Sequence, residues 1–307
     1  MNRATQLERL RLGVRIAGID VDEVVIPTDR DTLAGHIRLH WLDWAARAGA
    51  PDVLLLHGGG QNAHTWDPTA VQFRPALHCI ALDQRGHGDS EWALDMDYSI
   101  DANVEDIERF VDALELSRFV LIGMSMGGLN SIEFAARHSE RLLALVLVDV
   151  GPELHEVGTD RIAAFTGTDA ELESVDAFLE RAAEFNPLRD REVLRTSLLH
   201  NLHQLPDGRW TWKYDRRHRG RVDPAAGTER RLRLAEMLPS IDTPTLVLRG
   251  AESDVFWDED AERVAARIRG ARWAKIQNAG HTIQGDNPVE FVVAVRQFLA
   301  GTGIPVD

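Results

Sequence analysis

The chain has 307 residues, of which 44% are hydrophobic and 27% charged, and its formal net charge is −15 at pH 7. This length and composition are typical of a globular protein with a large buried core. The acidic excess argues against nucleic acids and anionic membrane surfaces as partners. The sequence contains no apolar stretch of membrane-spanning length, and its arginine-containing N-terminus lacks the continuous apolar run of a secretory signal. We therefore expect a cytoplasmic protein.

Residues 1–22 form an N-terminal extension in which leucine and arginine are mixed. A helix that packs on the domain, a contact between subunits of a homo-oligomer and a partly ordered tail are the alternatives for this segment. Two strands are predicted next, at residues 23–27 and 37–44, and a polar turn at residues 28–31 separates them.

Two continuous apolar runs then predict strands that are buried on both faces. Residues 53–56 form the first run, which ends in His57-Gly58-Gly59-Gly60, and residues 78–82 form the second. The glycine-rich turn after the second run carries three polar side chains, to which we assign a structural role: Asp83, Arg85 and His87.

The most informative stretch surrounds Ser125. An apolar run at residues 119–122 is followed by Gly123-Met124-Ser125-Met126-Gly127, which fits G-x-S-x-G, and residues 129–138 predict a helix. Glycine relieves crowding at a sharp strand-to-helix turn, and such a turn lifts the serine Oγ clear of the sheet. The first N–H groups of the helix then point at the group that the serine attacks.

Helix and strand patterns alternate up to residue 148, which is typical of a parallel sheet with helices on both faces. The alternation stops after residue 152 and resumes at residue 243. We interpret residues 153–239 as a cap inserted into a core formed by residues 23–152 and 240–307. The remaining core elements are predicted as strands and helices at residues 142–148, 245–248, 258–268, 271–276 and 288–300.

Three polar residues follow strand-like runs in the order serine, acid, histidine: Ser125, Asp254 and His281. A serine hydroxyl needs a neighbouring base, and the base needs an orienting acceptor. This order, the G-x-S-x-G turn and the His-Gly motif after an earlier strand resemble the α/β-hydrolase superfamily. The resemblance implies an α/β fold of that type, with a mostly parallel eight-stranded sheet, helices on both faces and an inserted helical cap.

The resemblance also implies catalytic roles, with Ser125 as the nucleophile, His281 as the general base and Asp254 as the orienting acid. Asp149, which ends an earlier core strand, is the alternative acid because some family members carry the acid there. We place Asp254 first because residues 250–254 resemble the acid turn of the family. On this assignment, Asp254→Asn is expected to cost far more activity than Asp149→Asn.

The oxyanion formed on attack needs two N–H donors, which we assign to the backbone of Met126 and of Gly59. A basic cluster in the cap could attract a carboxylate substrate, although a solvated loop is the preferred interpretation: Arg216, Arg217, His218, Arg219 and Arg221. The substrate pocket is predicted to be lined by these residues: Gly60, Trp66, Met124, Trp210, Trp212, Phe256 and Trp257.

The preferred function is hydrolysis of a small-molecule carboxylic ester or lactone through an acyl-enzyme. A serine nucleophile argues against the haloalkane dehalogenases and epoxide hydrolases of the superfamily, which use aspartate. A carbon–carbon bond hydrolase of aromatic catabolism is the second candidate, disfavoured by Met124 and by Gly59-Gly60, and a ligand receptor with the same fold is the third. The scattered histidines and the glycine spacing predict no metal and no cofactor.

Overall fold

The computed structural model describes residues 3–167, 171–187, 189–217 and 224–306. Apolar runs form the strands because their side chains can be buried on both faces of a sheet. The strands in chain order are β1 (Thr28–Ala34), β2 (Ile37–Trp44), β3 (Asp52–Leu56), β4 (His78–Leu82), β5 (Phe119–Met124), β6 (Leu142–Val148), β7 (Glu171–Leu172), β8 (Leu202–Gln204), β9 (Trp210–Trp212), β10 (Thr245–Gly250) and β11 (Arg272–Ile276).

Within the described residues, eight of these strands form one sheet in the order β1-β2-β4-β3-β5-β6-β10-β11. The pairs β1–β2 and β2–β4 are antiparallel, and every other pair in this sheet is parallel. The predicted mostly parallel eight-stranded sheet is therefore confirmed. Because parallel strands all end at the same edge, the loops that follow β3, β5, β6 and β10 meet there.

Helices cover both faces of the sheet. Alternate residues of β5 enter different apolar clusters, with Val120 and Ile122 in one and Phe119 and Leu121 in the other. The helices in chain order are α1 (Arg3–Ile16), α2 (Asp67–Phe73), α3 (Ile100–Ala113), α4 (Met126–Arg137), α5 (Glu156–Gly167), α6 (Val175–Phe185), α7 (Arg191–Asn201), α8 (Pro224–Met237), α9 (Asp258–Arg267), α10 (Ile283–Asp286) and α11 (Pro288–Gly301).

The first strand begins at Thr28, so the predicted strand at residues 23–27 and the predicted turn at residues 28–31 are wrong. β1 is an edge strand whose residues are mostly exposed, and it therefore lacks the apolar alternation of a half-buried strand. Its charged side chains are instead paired with β2. Arg30 Nη2 lies 3.2 Å from Asp43 Oδ2, and Asp31 Oδ1 lies 2.7 Å from Arg38 Nη1.

The chain leaves the main sheet between β6 and β10, and we call residues 153–239 the cap. The described part of the cap contains four helices, α5 to α8, and a small antiparallel sheet in the order β7-β9-β8. The predicted helical cap therefore also carries three short strands in its described part, and these are too brief to produce a buried-strand pattern in the sequence. The cap has an apolar cluster of its own, which includes Phe178, Leu198 and Tyr214.

The N-terminal extension contains a helix that packs on the domain. Leu10 and Val14 of α1 are buried and belong to the apolar cluster on one face of the main sheet. This is the first of the three alternatives for the extension.

Candidate active site

Ser125 forms the turn between β5 and α4. Its backbone has φ 51° and ψ −117°, a left-handed conformation that costs a residue with a side chain roughly 1–3 kcal/mol. Ser125 N–H donates to Val148 C=O at 3.3 Å, and Leu129 N–H donates to Ser125 C=O at 2.9 Å. The neighbouring strand and the following helix thus hold the strained serine in place.

The glycines around Ser125 are required by close packing, as the sequence predicted. A Cβ on Gly127 would lie 2.7 Å from His57 C=O and would also contact Leu56 C=O. A Cβ on Gly128 would lie 3.0 Å from Gly123 C=O. Because these neighbours are backbone atoms, they cannot move aside without disturbing the sheet.

Asp149, and not Asp254, contacts the predicted base. His281 Nδ1 lies 2.8 Å from Asp149 Oδ2. The prediction that Asp254 orients His281 is therefore wrong, and the alternative acid occupies that position. Because Nδ1 faces the carboxylate, Nε2 is the ring nitrogen left for another partner, and Ser125 lines the same cavity as His281.

Asp149 directly follows β6 in a left-handed conformation with φ 51°, and its side chain is fully buried. Gly250 N–H donates to Asp149 Oδ1 at 2.9 Å, and Ser253 Oγ donates to Oδ2 at 2.5 Å. Burial raises the pKa of the Asp149 carboxyl, while His281 and these two donors favour its charged form. The turn at residues 250–254 therefore supplies hydrogen-bond donors to the carboxylate that contacts His281.

Asp254 faces the cap. Its Oδ2 lies 3.2 Å from Arg161 Nη1 of α5, and its side chain is 29% exposed. Val255 N–H donates to Ser253 Oγ at 3.2 Å, which holds the Ser253 side chain on the inner side of the turn. The next residue, Asp254, is thereby directed outwards.

The two predicted oxyanion donors are neighbours. A Cβ on Gly59 would lie 3.9 Å from the Cβ of Met126. Gly58 N–H donates to Gln61 Oε1 at 3.1 Å, and Gly127 N–H donates to His57 C=O at 3.1 Å. Within the described part of the chain, the N–H groups of Gly59 and Met126 have no hydrogen-bond partner, so both can donate to a ligand.

His57 holds the loop that carries Gly59, and its role is structural as predicted. The ring is fully buried, Nδ1 lies 2.9 Å from Gly58 C=O, and Nε2 accepts from Gln84 N–H at 3.0 Å. These partners define a neutral imidazole with the proton on Nδ1. Burial lowers the pKa of His57, with a smaller opposing effect of Asp83.

The glycine-rich turn after β4 also has the structural role predicted for it. Asp83 accepts from Ala63 N–H at 2.6 Å and from Asp89 N–H at 2.8 Å. The guanidinium of Arg85 donates to both carboxylate oxygens of Asp106, at 2.6 and 2.8 Å. The third predicted side chain, His87, lies with Nδ1 3.0 Å from the carbonyl oxygen of Arg85.

A cavity of about 760 Å³ lies between Ser125 and the cap. Its walls are mainly apolar, and α5, α6 and α7 contribute to them. Seven predicted site residues line this cavity: Gly59, Gly60, Met124, Ser125, Met126, Trp212 and His281. Sequence reasoning missed several cap residues that also line it, because their apolar side chains are indistinguishable from cap core in the sequence: Ile162, Phe165, Phe185 and Leu198.

Four predicted pocket residues lie outside the cavity lining. Trp66 is fully buried in the core, with its ring centroid 6.1 Å from that of Phe291. Phe256 is fully buried in the cluster beneath α9, and Trp210 packs against the apolar cluster of the cap. Trp257 is 45% exposed and stacks on His155 at 3.6 Å. Size and aromaticity therefore did not identify the pocket, because most of these tryptophans serve packing.

The predicted basic cluster lies only partly within the described residues. Arg217 is paired with Asp215, whose oxygens lie 2.6 to 3.1 Å from its guanidinium nitrogens. This pairing lowers the pKa of Asp215 to about 2. His218, Arg219 and Arg221 lie outside the described residues.

Two groups of potential metal ligands lie within the described residues, one of which is His40, Asp83 and Asp89, where Asp83 is already occupied by the N–H groups of Ala63 and Asp89. The other group includes one residue of the cap. His64, Asp67 and His200 place one donor atom each within 4.8 Å of one another. However, His64 Nδ1 is bonded to Asp67 Oδ2 at 2.9 Å, and the rings of His64 and His200 stack at 3.7 Å. Nitrogen lone pairs lie in the ring planes, so stacked rings do not direct them at a common point.

The loop that carries His281 is attached to the cap. Arg189 donates to Asp286 Oδ1 from Nη2 at 2.6 Å and from Nε at 3.0 Å. The other carboxylate oxygen of Asp286 accepts from Gly280 N–H at 3.0 Å. Both side chains of the ion pair are largely buried. One carboxylate therefore joins the cap to the residue directly before His281.

The sheet order, the strained serine turn and the His281–Asp149 pair identify the architecture, and the comparison with protein families agrees. Residues 51–288 match the family model described as alpha/beta hydrolase fold. The chain belongs to the α/β-hydrolase fold family. The fold and the superfamily predicted from the sequence are thus confirmed.

Proteins described as esterases and lipases are among the relatives of this α/β-hydrolase. It is 34% identical over 258 residues to the esterase Rv0045c of Mycobacterium tuberculosis, covering 81% of this chain and 83% of the esterase. It is 26% identical to a 3-hydroxybutyrate-oligomer hydrolase of Cupriavidus necator, covering 87% and 94% of the two chains. The crystal structure of the Rv0045c esterase superposes with a TM-score of 0.76 at 31% identity, covering 95% and 96%.

In the described residues of this α/β-hydrolase, every helix is too short or too polar to cross a membrane.

Proposed function

We propose that this α/β-hydrolase is a serine esterase that cleaves small-molecule carboxylic esters or lactones. The observation that carries the proposal is the 2.8 Å contact between His281 Nδ1 and Asp149 Oδ2, beside the same cavity that Ser125 lines. The similarity to known esterases and lipases supports it. An ester therefore remains the preferred substrate bond over a carbon–carbon bond, as in the interpretation of the sequence.

The reaction begins with proton transfer from Ser125 Oγ to His281 Nε2 as Oγ attacks the carbonyl carbon of the ester. The negative oxygen of the tetrahedral intermediate accepts hydrogen bonds from the N–H groups of Gly59 and Met126. Collapse of the intermediate breaks the bond to the alcohol oxygen, which takes the proton from His281. The acyl group is then bound to Ser125.

Water completes the cycle. His281 removes a proton from water, the hydroxide attacks the acyl carbon, and the second intermediate releases the acid and returns the proton to Ser125. Asp149 stabilises the imidazolium in both halves of the cycle and fixes the proton on Nδ1. We propose that residues 153–239 act as the lid of the pocket and exclude bulk water during these steps.

The test combines covalent labelling with turnover. A fluorophosphonate should label the wild-type protein, and Ser125→Ala should abolish both labelling and hydrolysis of para-nitrophenyl esters. Ser139→Ala is the control, because Ser139 lies outside the cavity and bonds to the carbonyl oxygen of Ala135 at 2.6 Å. Labelling that persists in Ser125→Ala would assign the nucleophile to another residue and overturn the proposal.

The dependence of turnover on acyl length measures how long an acyl chain the pocket can hold. A mainly apolar cavity of about 760 Å³ predicts that kcat/KM rises with acyl length until the chain fills the available space. Phosphonate labelling of Ser125 without turnover of any ester or lactone would instead favour the ligand-receptor alternative.

A further inference from the structure

The charges that face the cavity above Ser125 are unusual for so acidic a chain. The formal net charge is −15, yet none of the described residues that line the cavity carries a carboxylate. Two arginines line it, Arg189 and Arg230. The cavity is therefore a locally positive site within a negatively charged protein.

The two arginines differ in their partners. Arg189 is neutralised by Asp286, which accepts two hydrogen bonds from its guanidinium. Arg230, on the cap helix α8, has no carboxylate partner within the described parts of the chain. Arg230 is exposed, so its guanidinium is accessible to an anion in the cavity.

The neighbouring arginines are engaged elsewhere. Arg233 donates to Asp101 Oδ2 and to Glu133 Oε2, both at 2.7 Å, and Arg231 donates to Thr228 Oγ1 at 3.1 Å. Neither of them lines the cavity. Arg230 is thus the guanidinium of this helix that faces the substrate space.

We propose that Arg230 forms a carboxylate-binding subsite, and that the preferred substrate is an ester with a free carboxylate at the end remote from the scissile bond. A guanidinium can bind a carboxylate through two parallel N–H···O bonds, which are stronger than bonds between neutral groups. The apolar walls between Ser125 and the cap accommodate the methylene chain that joins the two ends. This inference rests on the proposed esterase activity and specifies its substrate class.

The experiment compares esters that differ only in charge. The para-nitrophenyl monoesters of adipic, suberic and sebacic acid carry a free carboxylate, and the corresponding terminal carboxamides are neutral and of the same shape. We expect the wild type to prefer one of the acids over its amide by about tenfold in kcat/KM. Arg230→Gln should reduce the ratio of kcat/KM for the acid to that for the amide to about one, while Arg230→Lys should retain part of the preference.

A matched control separates the local contact from the change in net charge. Arg269→Gln removes one positive charge from an exposed residue that pairs with Asp242, outside the cavity lining. It should keep the wild-type preference for the acid. An unchanged acid-to-amide ratio in Arg230→Gln, or an equal loss in Arg269→Gln, would overturn the subsite.

A second measurement does not depend on ester turnover. Free suberate should slow fluorophosphonate labelling of Ser125 in the wild type, and about tenfold more suberate should be needed in Arg230→Gln. Equal protection of both proteins would refute the subsite. If neutral esters are hydrolysed without a preference for acids, the subsite fails and the esterase function stands. If suberate protects Ser125 but no ester is hydrolysed, the esterase function fails and the subsite stands.

Discussion

Asp149 Oδ2 lies 2.8 Å from His281 Nδ1, although the two residues are 132 positions apart in the chain. The pairing follows from the sheet order, because β6 and β10 are neighbours and β10 and β11 are neighbours. The loops after these three strands therefore converge on one point.

The first prediction concerns the acid. Asp149→Asn should lower kcat by about 10³- to 10⁴-fold, because an amide no longer holds the imidazole tautomer or stabilises the imidazolium. Asp254→Asn should lower it less than about threefold, since Asp254 faces Arg161 on the cap. Steady-state kinetics with one nitrophenyl ester decides between them. Equal losses, or a larger loss in Asp254→Asn, would restore Asp254 as the acid.

The second prediction concerns Ser253, which donates to the same carboxylate oxygen that His281 contacts. Ser253→Ala should lower kcat about tenfold, because a hydrogen bond to a buried charged group contributes about 1.5–3 kcal/mol. Ser253→Thr keeps the hydroxyl and should recover most of the activity. Full activity in Ser253→Ala would show that Asp149 is held without this donor.

The third prediction concerns stability against acid. The pKa of buried His57 is below the ordinary value of 6.5, so at intermediate pH the unfolded chain binds a proton that the native state does not. Unfolding free energy should therefore fall as the pH drops below about 6.5, by about 1.4 kcal/mol for each unit by which the pKa is lowered. Urea unfolding at about pH 7.5 and about pH 5.5 measures this slope.

Two histidine variants serve as controls for the dependence of the unfolding free energy on pH. His57→Gln should be less stable at both pH values but should show a shallower dependence on pH, because the titrating group is gone. His36 is exposed, and His36→Gln should keep the wild-type slope. A slope in His57→Gln that matches the wild type would assign the acid sensitivity to other groups, such as His200, whose pKa burial also lowers.

The fourth prediction concerns two glycines in helices. Gly127→Ala should destabilise the protein by about 1–3 kcal/mol and abolish labelling of Ser125, because the new Cβ would be 2.7 Å from His57 C=O. Gly227→Ala should stabilise it by about 0.4–1 kcal/mol, since nothing lies within 4 Å of its Cβ and alanine restricts the unfolded chain. Urea midpoints compare the pair. Similar midpoints would contradict the packing argument.

The core of the fold was predictable because a parallel strand that is buried on both faces consists of a continuous run of apolar residues. Each of β3, β5, β6 and β10 contains a run of apolar residues, and each run was assigned correctly as a strand. The edge strand β1 was not predictable in the same way, because its exposed charges, such as Arg30, pair with a neighbour that is distant from them in sequence.

The carboxylate that contacts His281 was ranked second, behind Asp254, for a related reason. Asp149 and Asp254 both follow core strands, and their order along the chain does not show which carboxylate points inwards. That depends on Ser253, whose hydroxyl turns towards Asp149 and leaves Asp254 facing Arg161. Most cap residues that line the cavity were not predicted. A phenylalanine such as Phe165 occupies the same kind of apolar position in the sequence whether its side chain faces a substrate or another helix.

The carboxylate of Asp286 has a consequence for engineering. The apolar cluster of the cap is built mainly from α6 and α7, whereas Leu234 of α8 belongs to a cluster of the main sheet, so a graft from a relative would exchange α6 and α7 and keep α8. Such a graft would still have to supply a cation where Arg189 lies, because Asp286 holds both that arginine and Gly280 N–H beside His281. A chimaera that lacks this cation would have a new substrate pocket but would lose the ion pair that holds the loop containing His281.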